Sequence, residues 1–510
     1  MSRTKRYLGG IAWSYANLAV VLLVGLWLTP FYLRQLTAEK YGLWLVGAQV
    51  LAYLLLFDVG VVSIVPRETA YATGRSGGIG GNELPGIVSD ALQIALWQTP
   101  VVLLAAVIVW FGLPDRWAQL SVPLGGVLLV FVLLFPLRLG PAVLQGLQDL
   151  AFLSRLQLTA WGFSTATSVL LVLEGFGLSA LAAGWIVGQL VTSVSAIIRL
   201  RYRFPEAVPV RFRAPGWARA RAYLSRGGWV SMSQIAQVLL NGTDVLILGI
   251  VLGPIPVVVY ACTGKLVSVL ANQPQVLTQS AAPALAELRA GNAPERLRVV
   301  SAALTQAMLF VSGLIVCAVI AANRPFVSWW VGAPQFGGMR LTLLLALVML
   351  LRHWSTTMIY TLFAFGRERR IALTSVADGL LTTCAALVLV RVMGMQGAPL
   401  ASLLGVCAIS IPCNLRALTR DLSIRLIDVF AWWPWGWRFM VAAAVALALG
   451  LGFRSASFIH AAAAAGLATA VYLLLTFKPV LASPLGPYLA DVAPPWTRRF
   501  MRAAGEPAGV

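Results

Sequence analysis

Arg352 and His353 interrupt an apolar run from Leu341 to Phe365 that is long enough to cross a bilayer. A permanent cation in hydrocarbon is costly, so such residues usually face a cavity, a transport path or an internal partner. Asp58, Arg138, Asp244, Lys265 and Asp378 also fall within or at the ends of apolar segments. The cations Arg352, Lys265 and Arg138 could meet an anionic substrate. An arginine's planar fork matches phosphate oxygens in bidentate geometry. The carboxylates Asp244, Asp378 and Asp58 could exchange a coupling ion, because desolvation makes proton uptake feasible for a buried acid. A permanent internal salt bridge competes with each reading, most strongly for Asp58, which lies near a span end. Trp354 and Tyr360 beside Arg352 could present aromatic faces to a saccharide, with core packing as the alternative.

Other chemistries find no residues to carry them. Lysine occurs only at Lys5, Lys40, Lys265 and Lys478, and none sits in a phosphate-binding Gly-x-x-x-x-Gly-Lys loop. Histidine is limited to His353 and His460, which argues against a metal-dependent hydrolase or a histidine acid–base site. Cys262, Cys317, Cys384, Cys407 and Cys413 lack metal-ligand spacing and read as small hydrophobes in packed helices. The expectation is a protein that is not an enzyme and holds neither metal nor cofactor. Any uphill work would draw on an ion gradient, of protons or sodium, or on downstream consumption of product.

The elements that must position these charges are helices in a membrane. The 510 residues are 59% hydrophobic and only 11% charged, a composition foreign to soluble domains. An all-α polytopic membrane protein of about fourteen transmembrane helices is expected. The spans fall near 10–33, 41–63, 87–112, 120–141, 154–174, 177–198, 228–252, 257–283, 299–322, 340–364, 371–391, 396–417, 437–453 and 457–477. Connections are short, which excludes a large catalytic domain outside the membrane. The N-terminal apolar stretch is too long for a signal core and reads as an uncleaved span.

The net charge of +20 suggests nucleic acid only until the charges are placed. Most of the 38 Lys and Arg fall on the side of the N-terminus, including eight arginines between Arg199 and Arg226. Positive residues stay cytoplasmic on insertion, so both termini are expected in the cytoplasm, with the basic connection against anionic headgroups and no nucleic acid.

A shift of about 219 residues aligns Gly9-Gly10-Ile11-Ala12-Trp13-Ser14 with Gly227-Gly228-Trp229-Val230-Ser231, Tyr41 with Tyr260 and Glu68 with Glu287. Transporters are often built from such repeats. The expected organisation is a six-helix lobe over 1–200, a basic connection over 201–226, and a second six-helix lobe over 227–420. Two additional helices over 421–480 and a cytoplasmic tail over 481–510 follow. Pro136 and Pro141 bracket Arg138, which predicts irregular backbone there.

The opening Gly-Gly-Ile-Ala-Trp-Ser, the segment Phe57-Asp58-Val59-Gly60, the stretch Leu224–Gly253 leading to Tyr260 and Lys265, and the turn containing Pro283–Glu287 and Asn292–Leu297 carry a resemblance. They resemble bacterial polysaccharide-precursor flippases, the Wzx-like members of the multidrug/oligosaccharidyl-lipid/polysaccharide exporter superfamily, over residues 1–420. The resemblance implies a V-shaped pair of six-helix lobes plus a C-terminal helix pair in the bacterial cytoplasmic membrane. It implies transfer of an undecaprenyl-diphosphate-linked oligosaccharide, a precursor of lipopolysaccharide O-antigen, capsule or exopolysaccharide, from the cytoplasmic to the periplasmic leaflet. A polysaccharide polymerase or chain-length regulator is the candidate protein partner. A lipid II flippase and a multidrug or cation antiporter of the same superfamily are the near alternatives. A membrane polymerase or glycosyltransferase is the alternative from another class.

Overall fold

The computed structural model describes residues 20–58, 60–75, 83–209, 217–291, 294–423, 433–453 and 455–492. The opening Gly-Gly-Ile-Ala-Trp-Ser, residues 210–216 of the basic connection and the tail after Val492 lie outside them. Among the described residues every regular element is helical. Two compact units divide the chain, Met1–Val238 and Leu239–Val510.

The first unit contains α1 (Val20–Gln35), α2 (Ala38–Leu54), α3 (Val61–Arg75), α4 (Glu83–Phe111) and α5 (Ala118–Leu134). It continues through α6 (Leu139–Gly146), α7 (Leu150–Leu173), α8 (Leu178–Arg203) and most of α9 (Trp217–Asn241). Thr37 accepts a hydrogen bond from the Lys40 amide and caps α2, as a short hydroxyl does at a helix start. Helices α7 and α8 run as a packed pair, while α3 packs on α6 and α5 on α8.

The second unit holds α10 (Thr243–Val251), α11 (Pro254–Thr263), α12 (Lys265–Ala290), α13 (Pro294–Trp330) and α14 (Met339–Ala364). It ends with α15 (Glu368–Met393), α16 (Gly397–Gly405), α17 (Ile411–Leu422), α18 (Trp433–Gly452), α19 (Phe458–Leu481) and α20 (Gly486–Val492). The terminal pair α18 and α19 packs along α13. Gly450 permits the approach, since a Cβ there would strike the Ile320 carbonyl. Tyr472 is fully buried at this contact, donating to the Phe310 carbonyl at 2.7 Å and accepting from Trp435 Nε1 at 3.0 Å. A buried phenol needs such partners, and with them it ties α13, α18 and α19 together.

Ten described stretches are long and apolar enough to cross a bilayer, and two bent helix pairs raise the count to twelve. One of the ten, Glu368–Leu422, is 55 residues long, about 80 Å as helix against roughly 30 Å of hydrocarbon. Gly394, at φ +63°, turns it back so that α15 and α16 pack as a hairpin. With that stretch crossing twice and α1 as the described part of the first span, the crossings coincide with the fourteen read from sequence. Large apolar side chains point outward, among them Leu104, Val122, Leu133 and Leu474, each more than half exposed. In water they would be a liability; in lipid they are the solvated surface.

Candidate functional site

Helices α10 and α12 of the second unit each open directly after a break in an apolar segment, and each break places a candidate residue in the first turn. Helix α10 begins after Gly242, with Asp244 in its first turn, where the positive end of the helix dipole favours a carboxylate. The Tyr260 hydroxyl donates to Asp244 Oδ2 at 2.7 Å. Helices α11 and α12 meet at Gly264 with a 49° bend, and Lys265 opens α12. The sequence reads 257–283 as one continuous span, and the bend corrects that. A cation in the first turn is electrostatically unfavourable for the isolated helix. Lys265 forms no ion pair with any described carboxylate, so ammonium and helix end together favour an incoming anion.

Arg352 is held differently. Its Nη1 donates to Asp378 Oδ2 at 2.5 Å and its Nη2 to Asp378 Oδ1 at 3.2 Å, a bidentate pair. Nη2 also reaches Ser402 Oγ at 3.0 Å and the Ser402 carbonyl at 3.3 Å. Asp378 is fully buried and accepts further bonds from Thr382 Oγ1 at 3.1 Å and from Ser410 Oγ. Ser410 is carried by a π-helical turn, Val406–Ser410, between α16 and α17; such turns re-aim side chains inside otherwise regular helices. Gly405 lets this chain pass Asp378, because a Cβ there would collide with Asp378 Oδ1 and Thr382 Oγ1. Of the two readings of Arg352, geometry carries the internal salt bridge.

The neighbours of Arg352 on α14 do not converge with it. Trp354 packs among Leu285, Leu297 and Met358 in the apolar core. Tyr360 lies eight positions beyond Arg352, about 12 Å along the axis, and is half-buried. His353 is buried, its Nδ1 2.7 Å from Ser312 Oγ.

In the first unit the irregular backbone around Arg138 is a 3₁₀ turn, Pro136–Arg138, joining α5 to α6. Arg138 Nη2 stands 3.9 Å from Asp58 Oδ2, the outer limit of an ion pair. Its guanidinium lies over Phe131 and Phe135, 5.9 and 5.7 Å from their centroids, and Nη1 is buried without a hydrogen-bond partner. Asp58 spends Oδ1 on the Gly60 amide at 2.7 Å, which stabilises the turn where Gly60 adopts φ +71°. Asp58 therefore serves first as a backbone staple.

Sequence reasoning found the ionisable residues but missed Ser402, Ser410 and Thr382, and it singled out Tyr260 without its bond to Asp244; these four complete the shells. Small hydroxyls recurring in apolar helices were the available signal. It is faint, because such residues also bond their own helix backbone. The cysteines divide: Cys262 and Cys317 are buried as expected, whereas Cys384 and Cys407 lie on the helix surface.

Residues 127–309 match the family described as polysaccharide biosynthesis protein. Among solved structures, the lipid II flippase MurJ in an inward closed conformation superposes with a TM-score of 0.66, covering 94% of this chain and 99% of its own at 10% identity. An inward-facing multidrug resistance MATE family transporter of the MOP superfamily gives 0.57, covering 79% of this chain and 98% of its own at 15% identity. Its outward-facing counterpart gives 0.55, with coverages of 80% and 93% at 15% identity. The chain shares the fold of these solved structures. No curated protein matches the sequence. Fold and family match agree with the resemblance read from the motifs, and the described helices make a multi-pass membrane protein.

Proposed function

We propose that this chain moves an undecaprenyl-diphosphate-linked oligosaccharide, a precursor of O-antigen, capsule or exopolysaccharide, from the cytoplasmic to the periplasmic leaflet by alternating access. The observation that carries the reading is the polysaccharide-biosynthesis match over 127–309, joined to cations left open inside spans. Lys265 at its helix start in the second unit and Arg138 with its unpartnered Nη1 in the first are each assigned contact with the anionic cargo along its path. Arg352, saturated by Asp378 and Ser402, is assigned a structural part. Trp354 and Tyr360 remain candidates only for peripheral sugar contacts. With Asp58 and Asp378 engaged, Asp244 is the carboxylate left for coupling to a proton or sodium gradient. The setting is the bacterial cytoplasmic membrane with both termini in the cytoplasm, where a polymerase or chain-length regulator would receive the product.

The test is a deletion strain examined for lipid-linked oligosaccharide retained in the cytoplasmic leaflet. Complementation by the wild-type chain is expected to clear it, and complementation by Lys265→Ala or Arg138→Gln to fail at normal protein levels. Unchanged export in the deletion strain sinks the proposal; full complementation by either variant removes that residue from the cargo path.

A second reading, a lipid II flippase, rests on the MurJ superposition covering 94% of this chain where the MATE structures cover about 80%. The same strain distinguishes them, since loss of lipid II transfer would stop growth rather than surface-polysaccharide export. A multidrug or cation antiporter would place uncompensated acids, not Lys265 and Arg138, in its spans.

A further inference from the structure

A cavity of about 550 Å³ opens in the second unit where α13, α17, α18 and α19 end together. The volume falls within the roughly 300–1,000 Å³ typical of small-molecule sites. Arg298, Arg438 and Lys478 line it, and no carboxylate is among its lining residues. Arg298 forms a wall: it donates to the Leu422 carbonyl at 2.6 Å, to Glu295 Oε1 at 2.8 Å and to the Ser423 carbonyl at 3.4 Å, fastening the start of α13 to the end of α17. Arg438 spends one donor on the Pro434 carbonyl at 3.2 Å. Neither Arg438 nor Lys478 pairs with a described carboxylate. Ser301 is 3% exposed, and its Oγ is buried with no hydrogen-bond partner. A buried hydroxyl left so is costly unless something fills the hole. The rest of the wall joins the apolar surface of Leu418, Leu422 and the face of Trp435, whose indole N–H is already committed to Tyr472, to Thr305, Gln306 and Ser483, each bonded to a backbone group.

The structure assigns this cavity to the phosphate headgroup of an anionic glycerophospholipid, held by Arg438, Lys478 and the Ser301 hydroxyl. Four span ends meet at its rim, which sets the donors at headgroup depth, and charge counting assigns that face to the cytoplasm. Basic pockets between spans on that face suit anionic lipid heads. The apolar part of the wall gives the glycerol and first methylenes a surface that free phosphate would not need. The site is separate from the transport reading, so failure of either leaves the other standing.

The test uses the full chain in neutral detergent, titrated with short-chain phosphatidylglycerol, phosphatidylcholine or inorganic phosphate, with bound lipid counted by native mass spectrometry. Phosphatidylglycerol is expected to bind saturably and at least about tenfold more tightly than phosphatidylcholine. Removing two charges in Arg438→Gln with Lys478→Gln should weaken it about 30-fold, while Arg391→Gln, at an exposed position in the last turn of α15, should not. Ser301→Ala, which removes only a hydroxyl, should weaken it about fivefold even where the double variant folds poorly. Equal binding of the two lipids, wild-type binding by the double variant, or an equal loss in Arg391→Gln overturns the assignment. Displacement of the lipid by equimolar inorganic phosphate would overturn it in favour of a soluble anion, and displacement by a polyprenyl diphosphate in favour of cargo.

Discussion

Arg352–Asp378 in the second unit and Arg138–Asp58 in the first are arginine–aspartate pairs with a buried carboxylate among apolar segments, and the two are built to different standards. Arg352 and Asp378 meet in two parallel hydrogen bonds, and Ser402, Ser410 and Thr382 satisfy what remains. Arg138 and Asp58 approach only to 3.9 Å, the carboxylate turned to the Gly60 amide and one guanidinium nitrogen unpartnered. A desolvated charge pair repays its cost only when geometry is good and the remaining donors and acceptors are satisfied. The second unit meets that condition and the first does not. Intramembrane charge is therefore no uniform sign of a substrate site: one pair is satisfied internally, and the other leaves a guanidinium nitrogen without a hydrogen-bond partner.

The largest effect should come from opening the saturated pair. Asp378→Ala leaves a mostly buried guanidinium without its carboxylate and is expected to cost about 3 kcal/mol, read as a shift in denaturant unfolding of the detergent-solubilised protein. Replacing both partners, Arg352→Met with Asp378→Leu, should recover most of that loss, since apolar substitutes of similar volume need no desolvation. If the single variant costs no more than Asp58→Asn, the contrast between the pairs disappears. Gly405→Ala comes next, at about 1–3 kcal/mol, because the added methyl must displace Asp378 or Thr382 from a packed site. Asp58→Asn should cost only about 1 kcal/mol, since the amide oxygen can still take the Gly60 N–H and the lost ion pair was distant. Tyr260→Phe removes one hydroxyl from Asp244 and should cost 1 kcal/mol or less. Its sharper readout is the ion dependence of transport, which should change if Asp244 is the coupling carboxylate and stay fixed if it is a helix staple.

Much of the fold was legible because hydrocarbon imposes a simple rule. A helix that crosses it must be long and apolar, and the stretches 87–112, 340–364 and 457–477 announce themselves by that rule alone. The breaks were less legible. Gly242 and Gly264 look like ordinary small residues in apolar helices, yet they reset the chain so that Asp244 and Lys265 open new helices. Pro136 was a better guide, because its missing N–H and fixed φ mark backbone irregularity locally, and the 3₁₀ turn at Arg138 follows. The pocket of Arg298, Arg438 and Lys478 was invisible: its residues are separated by as many as 180 positions and share no motif.

The sequence by itself determined that this is a many-span helical membrane protein, where its helices cross, and which ionisable residues lie at depth. Those properties follow from length and side-chain polarity, which each segment carries alone. Only the tertiary structure decided that Arg352 is locked while Lys265 and Arg138 stay open. Pairing depends on which helices become neighbours and how they are rotated, and residues 26 or 50 positions apart, as Asp378 and Ser402 are from Arg352, meet only after packing has chosen.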